Sequence, residues 1–294
     1  MIRRIIAIIA LSIAVVAGCA TLQPDMPAIT ETPTNQRHNG KVVWRDLLTN
    51  DPTGSQRFYS ELFGWQFEEP GIDLGFGGRD AYTLIRHNGK LIGGMVNMRA
   101  LGRTENVSQW VSMISVDDIE RATAAITARG GNILTPPTEL ATRGHLAVAE
   151  DPNGAIFALI QARGGDPADR EPDHNDFLWD ELWTEDISGS SEFYSAVVGF
   201  QREDHDIDES DRQYGVLKVD GTPRAGLIEH PFPGERPVWV NYIRVKDPAA
   251  IAAKVTTLGG RVIVEAQPRA IGGTVALVAG PSGAGVALQT WPLD

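Results

Sequence analysis

The amino-acid sequence predicts an α+β protein that consists of two homologous domains in tandem. Three observations support this prediction: the length of 294 residues fits about two domains, strand-like segments alternate with short amphipathic helical segments, and the second half repeats the first. The segment from Trp44 to Asp51 recurs from Trp179 to Asp186, 135 positions later. The glycine pair at 130–131 recurs at 259–260, at an offset of 129. Because the offset changes only between predicted elements, the halves differ by short insertions and deletions in loops.

The first module of each half is predicted as a strand, a helix and three strands. In the first half, the segments with the clearest pattern are a strand over 44–49, a helix over 52–63, and strands over 81–86 and 91–98. Pro52 suits the first turn of the helix and Gly64 suits its end. Asn88 and Gly89 are typical of a tight turn between two strands.

The second module repeats this order. Its clearest segments are a strand over 110–116, a helix over 119–128, and strands over 146–149 and 156–161. The glycine pair 130–131 ends the helix, and the turn from Asp151 to Gly154 separates the last two strands.

The N-terminus is predicted to be a signal segment that is removed from the mature protein. Arg3 and Arg4 precede 14 uncharged residues, 5–18, which are too few for a comfortable transmembrane helix but suit a signal-peptide core. Cys19, the only cysteine in the chain, follows directly. The sequence from Val16 to Cys19 resembles the lipobox of bacterial lipoproteins, although an ordinary secretory signal with a chance cysteine is the alternative.

The lipobox resemblance implies that residues 1–18 are removed and that Cys19 is lipidated. The mature protein would then be anchored by its lipid in the bacterial cell envelope, facing the periplasm, most simply at the outer membrane. Prolines among Thr, Gln and Asn predict a flexible tether, and a segment rich in Gly, Pro and Asp predicts a linker. The predicted organisation is a signal peptide at 1–18, a tether at 19–40, domain 1 at 41–162, a linker at 163–176 and domain 2 at 177–292.

Composition excludes several classes of function. The chain has 26 Lys and Arg against 38 Asp and Glu, a net charge of −12, so a nucleic-acid partner is not expected. A single cysteine excludes an intrachain disulfide and a cysteine-cluster metal site. The oligomeric state is left open.

The order of motifs in both halves resembles the vicinal oxygen chelate superfamily, which includes glyoxalases, bleomycin-resistance proteins and extradiol dioxygenases. The motifs are the strand that ends in Asp51, the helix with Phe58 and Tyr59 before Gly64, the helix before the 130–131 glycines, and the turn at 151–154. The resemblance covers 41–162 and 177–292. It implies that each domain pairs two βαβββ modules to form a curved, cup-shaped sheet.

The resemblance also implies where a divalent metal, the usual cofactor of this family, would bind. Its ligands are His, Gln or Glu on the first strand of each module and Glu or another donor on the last. These positions fall here on Trp44, Gly93, Val111 and Ala158, and on Trp179, Ala225, Val240 and Ala287. None offers a side-chain donor that suits a divalent cation. We therefore predict no metal and no other cofactor.

Strand alternation indicates which side chains face the cup. If Trp44 faces inward, so does Asp46, and the repeat places Trp179, Glu181 and Trp183 likewise. Asp46 and Glu181 are the candidate catalytic bases, provided that burial raises their pKa. The alternative is that each carboxylate holds the sheet together through hydrogen bonds or an arginine. The candidate ligand-binding residues are Trp44, Met113, Trp179, Trp183, Tyr242 and Arg244, of which Arg244 is also a candidate partner for Glu181.

Three functions remain open at this point. The first is binding of a small molecule, without catalysis, in an apolar cup lined by tryptophan. The second is an enzyme, a metal-independent lyase, isomerase or hydroxylase-like protein with Asp46 or Glu181 as base. The third is an envelope scaffold. The absence of metal donors favours the first, and the repeated carboxylate supports the second.

Overall fold

The computed structural model describes residues 26–70, 78–206 and 213–292. The predicted signal peptide, the predicted lipidation site Cys19 and the first part of the predicted tether lie outside these residues. Within the described ranges, no helix has the length and the apolar character needed to cross a membrane.

Domain 1 contains two βαβββ modules in succession. The first consists of β1 (Val42–Thr49), α1 (Pro52–Phe63), β2 (Gln66–Glu68), β3 (Tyr82–His87) and β4 (Lys90–Asn97). The second consists of β5 (Gln109–Ser115), α2 (Ile119–Ala128), β6 (Asn132–Glu139), β7 (Gly144–Glu150) and β8 (Ile156–Ala162).

Domain 2 repeats this order. Its first module consists of β9 (Phe177–Thr184), α3 (Ile187–Val198), β10 (Gln201–Asp206), β11 (Gln213–Val219) and β12 (Thr222–Glu229). Its second consists of β13 (Val238–Arg244), α4 (Pro248–Val255), β14 (Arg261–Pro268), β15 (Thr274–Ala279) and β16 (Gly285–Gln289).

Each domain forms its own eight-stranded mixed sheet from the described strands. The strand order is β2-β3-β4-β1-β5-β8-β7-β6 in domain 1 and β10-β11-β12-β9-β13-β16-β15-β14 in domain 2. In both sheets the first strands of the two modules pair antiparallel at the centre, and each pairs parallel with the last strand of its own module. The two modules of one domain therefore enclose one cup, and the cups form within domains rather than between them.

Local sequence explains where the four α-helices of the described ranges begin. An aspartate precedes each helix, and its carboxylate accepts a hydrogen bond from a backbone N–H of the first turn. These N-cap residues are Asp51, Asp118, Asp186 and Asp247. α1 and α3 end at glycines in the left-handed conformation, Gly64 and Gly199, as their sequence predicts.

The two domains pack with the backs of their sheets together and the helices between them. One buried cluster joins Ile126 and Phe157 of domain 1 to Phe193 and Tyr194 of domain 2. A second cluster joins Phe58 of α1 to residues of β13, α4 and β16. Because one face of each sheet meets the other domain, the cups open on the faces that point away from this interface.

In domain 1 the structure adds two strands, β2 and β6, to those located individually from sequence. β6 contains Pro136 and Pro137 and is an edge strand, where a missing N–H is tolerated because it faces no partner. Residues 26–40, the described part of the predicted tether, contact domain 1, and Met26 and Ile29 are buried.

Candidate functional site

The two concave faces, here called cup 1 and cup 2, are lined by separate clusters. Cup 1 belongs to domain 1, and its main lining residues are Trp44, Leu48, Tyr82, Leu84, Val96, Met98, Val111, Met113, Leu146, Ala158 and Ile160. Cup 2 belongs to domain 2, and its buried cluster is Trp183, Val240, Tyr242, Leu277 and Ala287. Trp179 packs against this second cluster.

In β4 and β12, the last strands of the two first modules, the residue that faces the cup is not the one expected from the sequence. A Cβ added to Gly93 would contact the backbone of Arg45 on the far face, and Ala225 packs in the cluster between the domains. A Cβ on Gly94 would instead lie 1.9 Å from the Tyr82 hydroxyl, and one on Gly226 would lie 2.3 Å from the Tyr214 hydroxyl. The positions that face the cups are therefore Gly94 and Gly226, which is a correction of one residue.

Glu181 lies at the base of cup 2 with no exposed surface. Its Oε1 accepts hydrogen bonds from the Tyr214 hydroxyl (2.7 Å) and the Arg269 guanidinium (2.5 Å). Its Oε2 accepts from the Tyr242 hydroxyl (2.5 Å) and the Trp183 indole (3.2 Å). A carboxylate has about four acceptor positions, so these four donors occupy all of them.

Arg269, which comes from the β14–β15 loop, is the cation that pairs with Glu181. Burial, the largest single influence, lowers the pKa of this guanidinium. The charge and hydrogen bond of Glu181, together with Tyr242 and Tyr214, outweigh burial and raise the pKa above its ordinary value. Arg269 also lies 4.9 Å from the ring centre of Tyr242. The prediction that Arg244 pairs with Glu181 is wrong, because Arg244 donates to Glu171 (2.8 Å) and to the Pro172 carbonyl of the linker.

Cup 2 encloses an open cavity of about 1040 Å³ beside this ion pair. Trp183, Tyr242, Arg269, His230 and Phe232 line it together with aliphatic side chains of β12, β14 and β15. The ring centres of His230 and Phe232 lie 5.8 and 6.3 Å from that of Trp183. The cavity thus combines an aromatic and aliphatic lining with polar groups, which include Glu185, Arg202 and Glu229 as well as Arg269.

Cup 1 contains an equivalent carboxylate with a similar set of donors. Asp46 Oδ1 accepts from the Tyr82 hydroxyl (2.7 Å) and the Trp44 indole (2.9 Å). Burial raises the pKa of Asp46, against the lowering effects of the Arg143 charge and the two hydrogen bonds. Arg143, from the β6–β7 loop, donates to the Tyr82 hydroxyl (3.2 Å) and lies over the Trp44 ring at 4.5 Å.

The structure places the predicted site residues in two separate groups. Trp183, Tyr242 and Glu181 meet in cup 2, where Trp179 supports them by donating to the Tyr214 hydroxyl at 2.8 Å. Trp44, Asp46 and Met113 meet in cup 1. Sequence reasoning missed Arg143 and Arg269, which occupy different positions of equivalent loops and therefore do not align in the repeat. The one available signal was an arginine in each of these two loops.

The residues present in the cups do not fit the usual metal of this fold. After the correction, the inward positions are Trp44, Gly94, Val111 and Ala158 in cup 1, and Trp179, Gly226, Val240 and Ala287 in cup 2. None carries a donor for a divalent cation. Within the described ranges, no three or more His, Cys, Asp or Glu side chains are grouped to hold a metal. The carboxylate of cup 2 already faces a guanidinium.

Comparison with known proteins gives similarities over most of the chain. The profile of the Glyoxalase/Bleomycin resistance protein/Dioxygenase superfamily matches residues 41–159. The protein CFP32 of Mycobacterium tuberculosis, provisionally described as a glyoxylase, is 30% identical over 251 residues, which span 85% of this chain and 94% of that protein. The anthracycline biosynthesis protein DnrV of Streptomyces peucetius is 28% identical over 235 residues, 76% of this chain and 83% of that protein.

Solved structures share the fold at low sequence identity. The Mn(II)-bound glyoxalase from Novosphingobium aromaticivorans superposes with a TM-score of 0.59 at 15% identity, covering 86% of this chain and 82% of that one. The 2,3-dioxygenase LapB from Pseudomonas sp. KL28 gives 0.57 at 13% identity, covering 87% and 93%.

Proposed function

The chain belongs to the glyoxalase/bleomycin resistance protein/dioxygenase superfamily, and from this premise we propose that it binds a planar, mainly apolar small molecule in cup 2 without a metal. The observation that carries the proposal is the open cavity of about 1040 Å³ lined by Trp183, Phe232 and Tyr242. Ligand pockets typically have about 300–1,000 Å³ and combine apolar surface with a few polar groups. Cup 2 matches this description.

The hydrogen bonds at Glu181 favour binding over base catalysis. A general base needs a free lone pair within reach of the proton that it removes. Both oxygens of Glu181 already accept two hydrogen bonds each. We assign to Glu181 the role of holding Arg269 and the two tyrosines in place at the base of the cavity. Asp46, the other candidate base, lies in cup 1, whose lining cluster also contains the buried side chains of Met26 and Ile29.

The relatives support a planar ligand. DnrV is named for anthracycline biosynthesis, and anthracyclines consist of fused flat rings. Trp183 and Phe232 present aromatic surface of the kind that stacks on such rings. We infer that the ligand packs its rings against these side chains and directs a hydrogen-bonding group to the base of cup 2.

A fluorescence titration with doxorubicin, a fluorescent anthracycline, tests this proposal. We expect one saturable site per chain, with quenching of tryptophan emission. Trp183→Leu installs the residue that domain 1 has at the equivalent position, Leu48, and should weaken binding about tenfold by removing the aromatic contact. Met113→Leu in cup 1 is the control and should leave the affinity unchanged. A wild-type protein without a saturable site, or equal effects of the two variants, would contradict the proposal.

The proposed absence of a metal has its own test. Elemental analysis of protein purified without chelator should show less than stoichiometric Mn, Fe, Ni and Zn. Treatment with EDTA should leave the melting temperature and the doxorubicin titration unchanged. A stoichiometric metal, or a clear loss of stability after EDTA, would refute this part of the proposal.

We also propose that Cys19 carries a lipid that anchors the protein in the bacterial envelope, facing the periplasm at the outer membrane. The support is the lipobox-like sequence that ends in the only cysteine of the chain. Cells grown with an alkyne analogue of palmitate should label the wild type in the membrane fraction. Cys19→Ser should abolish labelling, and equal labelling of both proteins would overturn the assignment.

A further inference from the structure

A short segment before domain 1 occupies cup 1. The corresponding space in domain 2, cup 2, is open. The side chains of Met26 and Ile29 are 5% and 3% exposed and belong to the cluster that lines cup 1. Between them, the carbonyl of Pro27 accepts a hydrogen bond of 2.8 Å from Nε of Arg143. Residues 26–29 thus present two apolar groups and one acceptor to cup 1.

Few other contacts hold this segment. Among the described residues, no backbone–backbone hydrogen bond is made by residues 26–33, and the first such bonds join Thr34 and Asn35 to the carbonyl of Gly164. Glu31 pairs with Arg86, but its side chain is 60% exposed. The segment therefore lies in cup 1 without being part of the sheet, and its release would break no strand pairing.

The Arg143 guanidinium, which contacts the segment, has hydrogen-bond partners for only some of its nitrogens. The guanidinium of Arg143 is 1% exposed, and its second terminal nitrogen, Nη2, is buried without a hydrogen-bond partner among the described residues. An arginine can bind two oxygens of one anion at the same time. The Pro27 carbonyl supplies one oxygen, whereas a carboxylate or sulfonate would supply two.

We propose that residues 26–29 are an intramolecular occupant of cup 1, which an apolar anion with at least two acceptor oxygens displaces. The apolar part of this ligand takes the places of Met26 and Ile29 beside Trp44. Its anionic group meets Arg143. Because the segment is covalently attached, its high local concentration lowers the apparent affinity of the free ligand, so cup 1 is closed at low ligand concentration.

This inference does not depend on ligand binding in cup 2. A titration with 8-anilinonaphthalene-1-sulfonate, an aromatic sulfonate whose fluorescence rises in apolar sites, tests it in the full chain. Met26→Ser with Ile29→Ser should let one site per chain bind the sulfonate about tenfold more tightly than in the wild type, because the segment no longer competes for cup 1. Thr32→Ser with Gln36→Ser changes two exposed side chains of the same stretch and should not. Near-UV circular dichroism checks that each variant keeps its tertiary structure.

Arg143→Met, added to the Met26→Ser and Ile29→Ser changes, separates a specific site from exposed apolar surface. This site should then bind about tenfold more weakly, because the two-oxygen contact is lost. An unchanged affinity of this site in the folded Met26→Ser, Ile29→Ser variant would overturn the proposal. So would a tighter site whose affinity does not depend on Arg143.

Oxidation of Met26 by hydrogen peroxide in the wild type, read by mass spectrometry of peptides, provides a measurement that needs no variant. Met26 is buried in cup 1. A saturating concentration of the sulfonate should speed its oxidation at least about twofold, since the thioether leaves the cup. Oxidation of Met95, which is buried between the domains, should stay constant. Unchanged or slower oxidation of Met26, with the probe bound, would mean that the segment is a fixed part of the domain and would refute the proposal.

Discussion

Arg45 and Asp180 occupy equivalent positions in the two domains and form an ion pair with each other across the interface. The bidentate contact joins Nε and Nη2 of Arg45 to the two carboxylate oxygens of Asp180, and Asp180 is almost fully buried. Ser112 and Asn241, also equivalent in the repeat, extend this network, because the Asn241 amide donates to both Asp180 and Ser112. Two identical domains would place two arginines or two aspartates opposite each other at these positions. Because the repeat has Arg45 in one domain and Asp180 in the other, the contact between the domains is attractive.

Removing either charge of this pair should destabilise the whole protein. Asp180→Ala or Arg45→Ala leaves a buried charge without its partner, which costs about 3–5 kcal/mol of unfolding free energy. The double variant should lose less than the sum of the two, because no unpaired charge remains. Urea unfolding measures all four proteins. Lys90→Ala removes an ion pair with Asp173 whose two side chains are about half exposed, and it should have a much smaller effect. Additive losses would show that the pair is not coupled.

The sequence predicts the helices well because their signals are local. The bounds predicted for α1 and α2 agree with the structure, since an aspartate N-cap and a glycine fix the ends of α1 and an aspartate fixes the start of α2. The inward face of β4 was misjudged by one residue because two adjacent glycines carry no side-chain pattern. Gly94 faces the cup because β4 pairs with β1 in the register that places Gly94 beside Asp46, and this pairing is a long-range contact.

The cup residues were only partly predictable, because some of them are positioned by long-range contacts rather than by local sequence. Alternation along β9 indicated Glu181, Trp179 and Trp183, because a strand has a strict period of two. Arg269 comes from a loop, where no periodicity indicates direction, and its identity as the partner of Glu181 depends on how β14 and β15 pair. The occupation of cup 1 by residues 26–29 depends on the shape of the cup, which no local sequence signal contains.

Alanine at Gly94 or Gly226 should disturb the tyrosine–carboxylate contacts. The new methyl groups would lie 1.9 Å from the Tyr82 hydroxyl and 2.3 Å from the Tyr214 hydroxyl. Relief of such overlap by shifts of the surroundings costs about 1–3 kcal/mol. Gly285→Ala, whose nearest atom lies at 3.9 Å, is the control and should stay within about 0.5 kcal/mol of the wild type. Thermal unfolding compares the three variants, and equal melting temperatures would contradict the expectation.

Asp46 should make the protein less stable as the pH rises. Burial raises the pKa of Asp46 in the folded state, so between the unfolded and folded pKa values the native protein binds more protons than the unfolded chain. The free energy of unfolding then falls with rising pH, from about pH 4 up to the folded pKa, through this residue.

Asp46→Asn removes this contribution while its Oδ1 can still accept from Tyr82 and Trp44. The stability of the variant minus that of the wild type should therefore increase with pH and level off above the folded pKa. Urea unfolding between pH 4 and pH 8 measures this difference. Asp118→Asn, at an exposed helix N-cap, is the control that should show no such increase. A constant difference for Asp46→Asn would refute the prediction.

Arg269→Met should show how far cup 2 depends on the ion pair at its base. Glu181 has no exposed surface, so the variant leaves a buried carboxylate without its cation and should lose about 3–5 kcal/mol at neutral pH. Adding Glu181→Gln should restore part of the stability, because Gln removes the charge but keeps an oxygen that accepts from a tyrosine hydroxyl. Arg244→Met removes a partly buried arginine of the same domain that pairs with Glu171 of the linker, and Glu181→Gln should give it no rescue. Urea unfolding at neutral pH distinguishes these cases, and a double variant no more stable than Arg269→Met alone would mean that packing of the side chain, rather than its charge, stabilises cup 2.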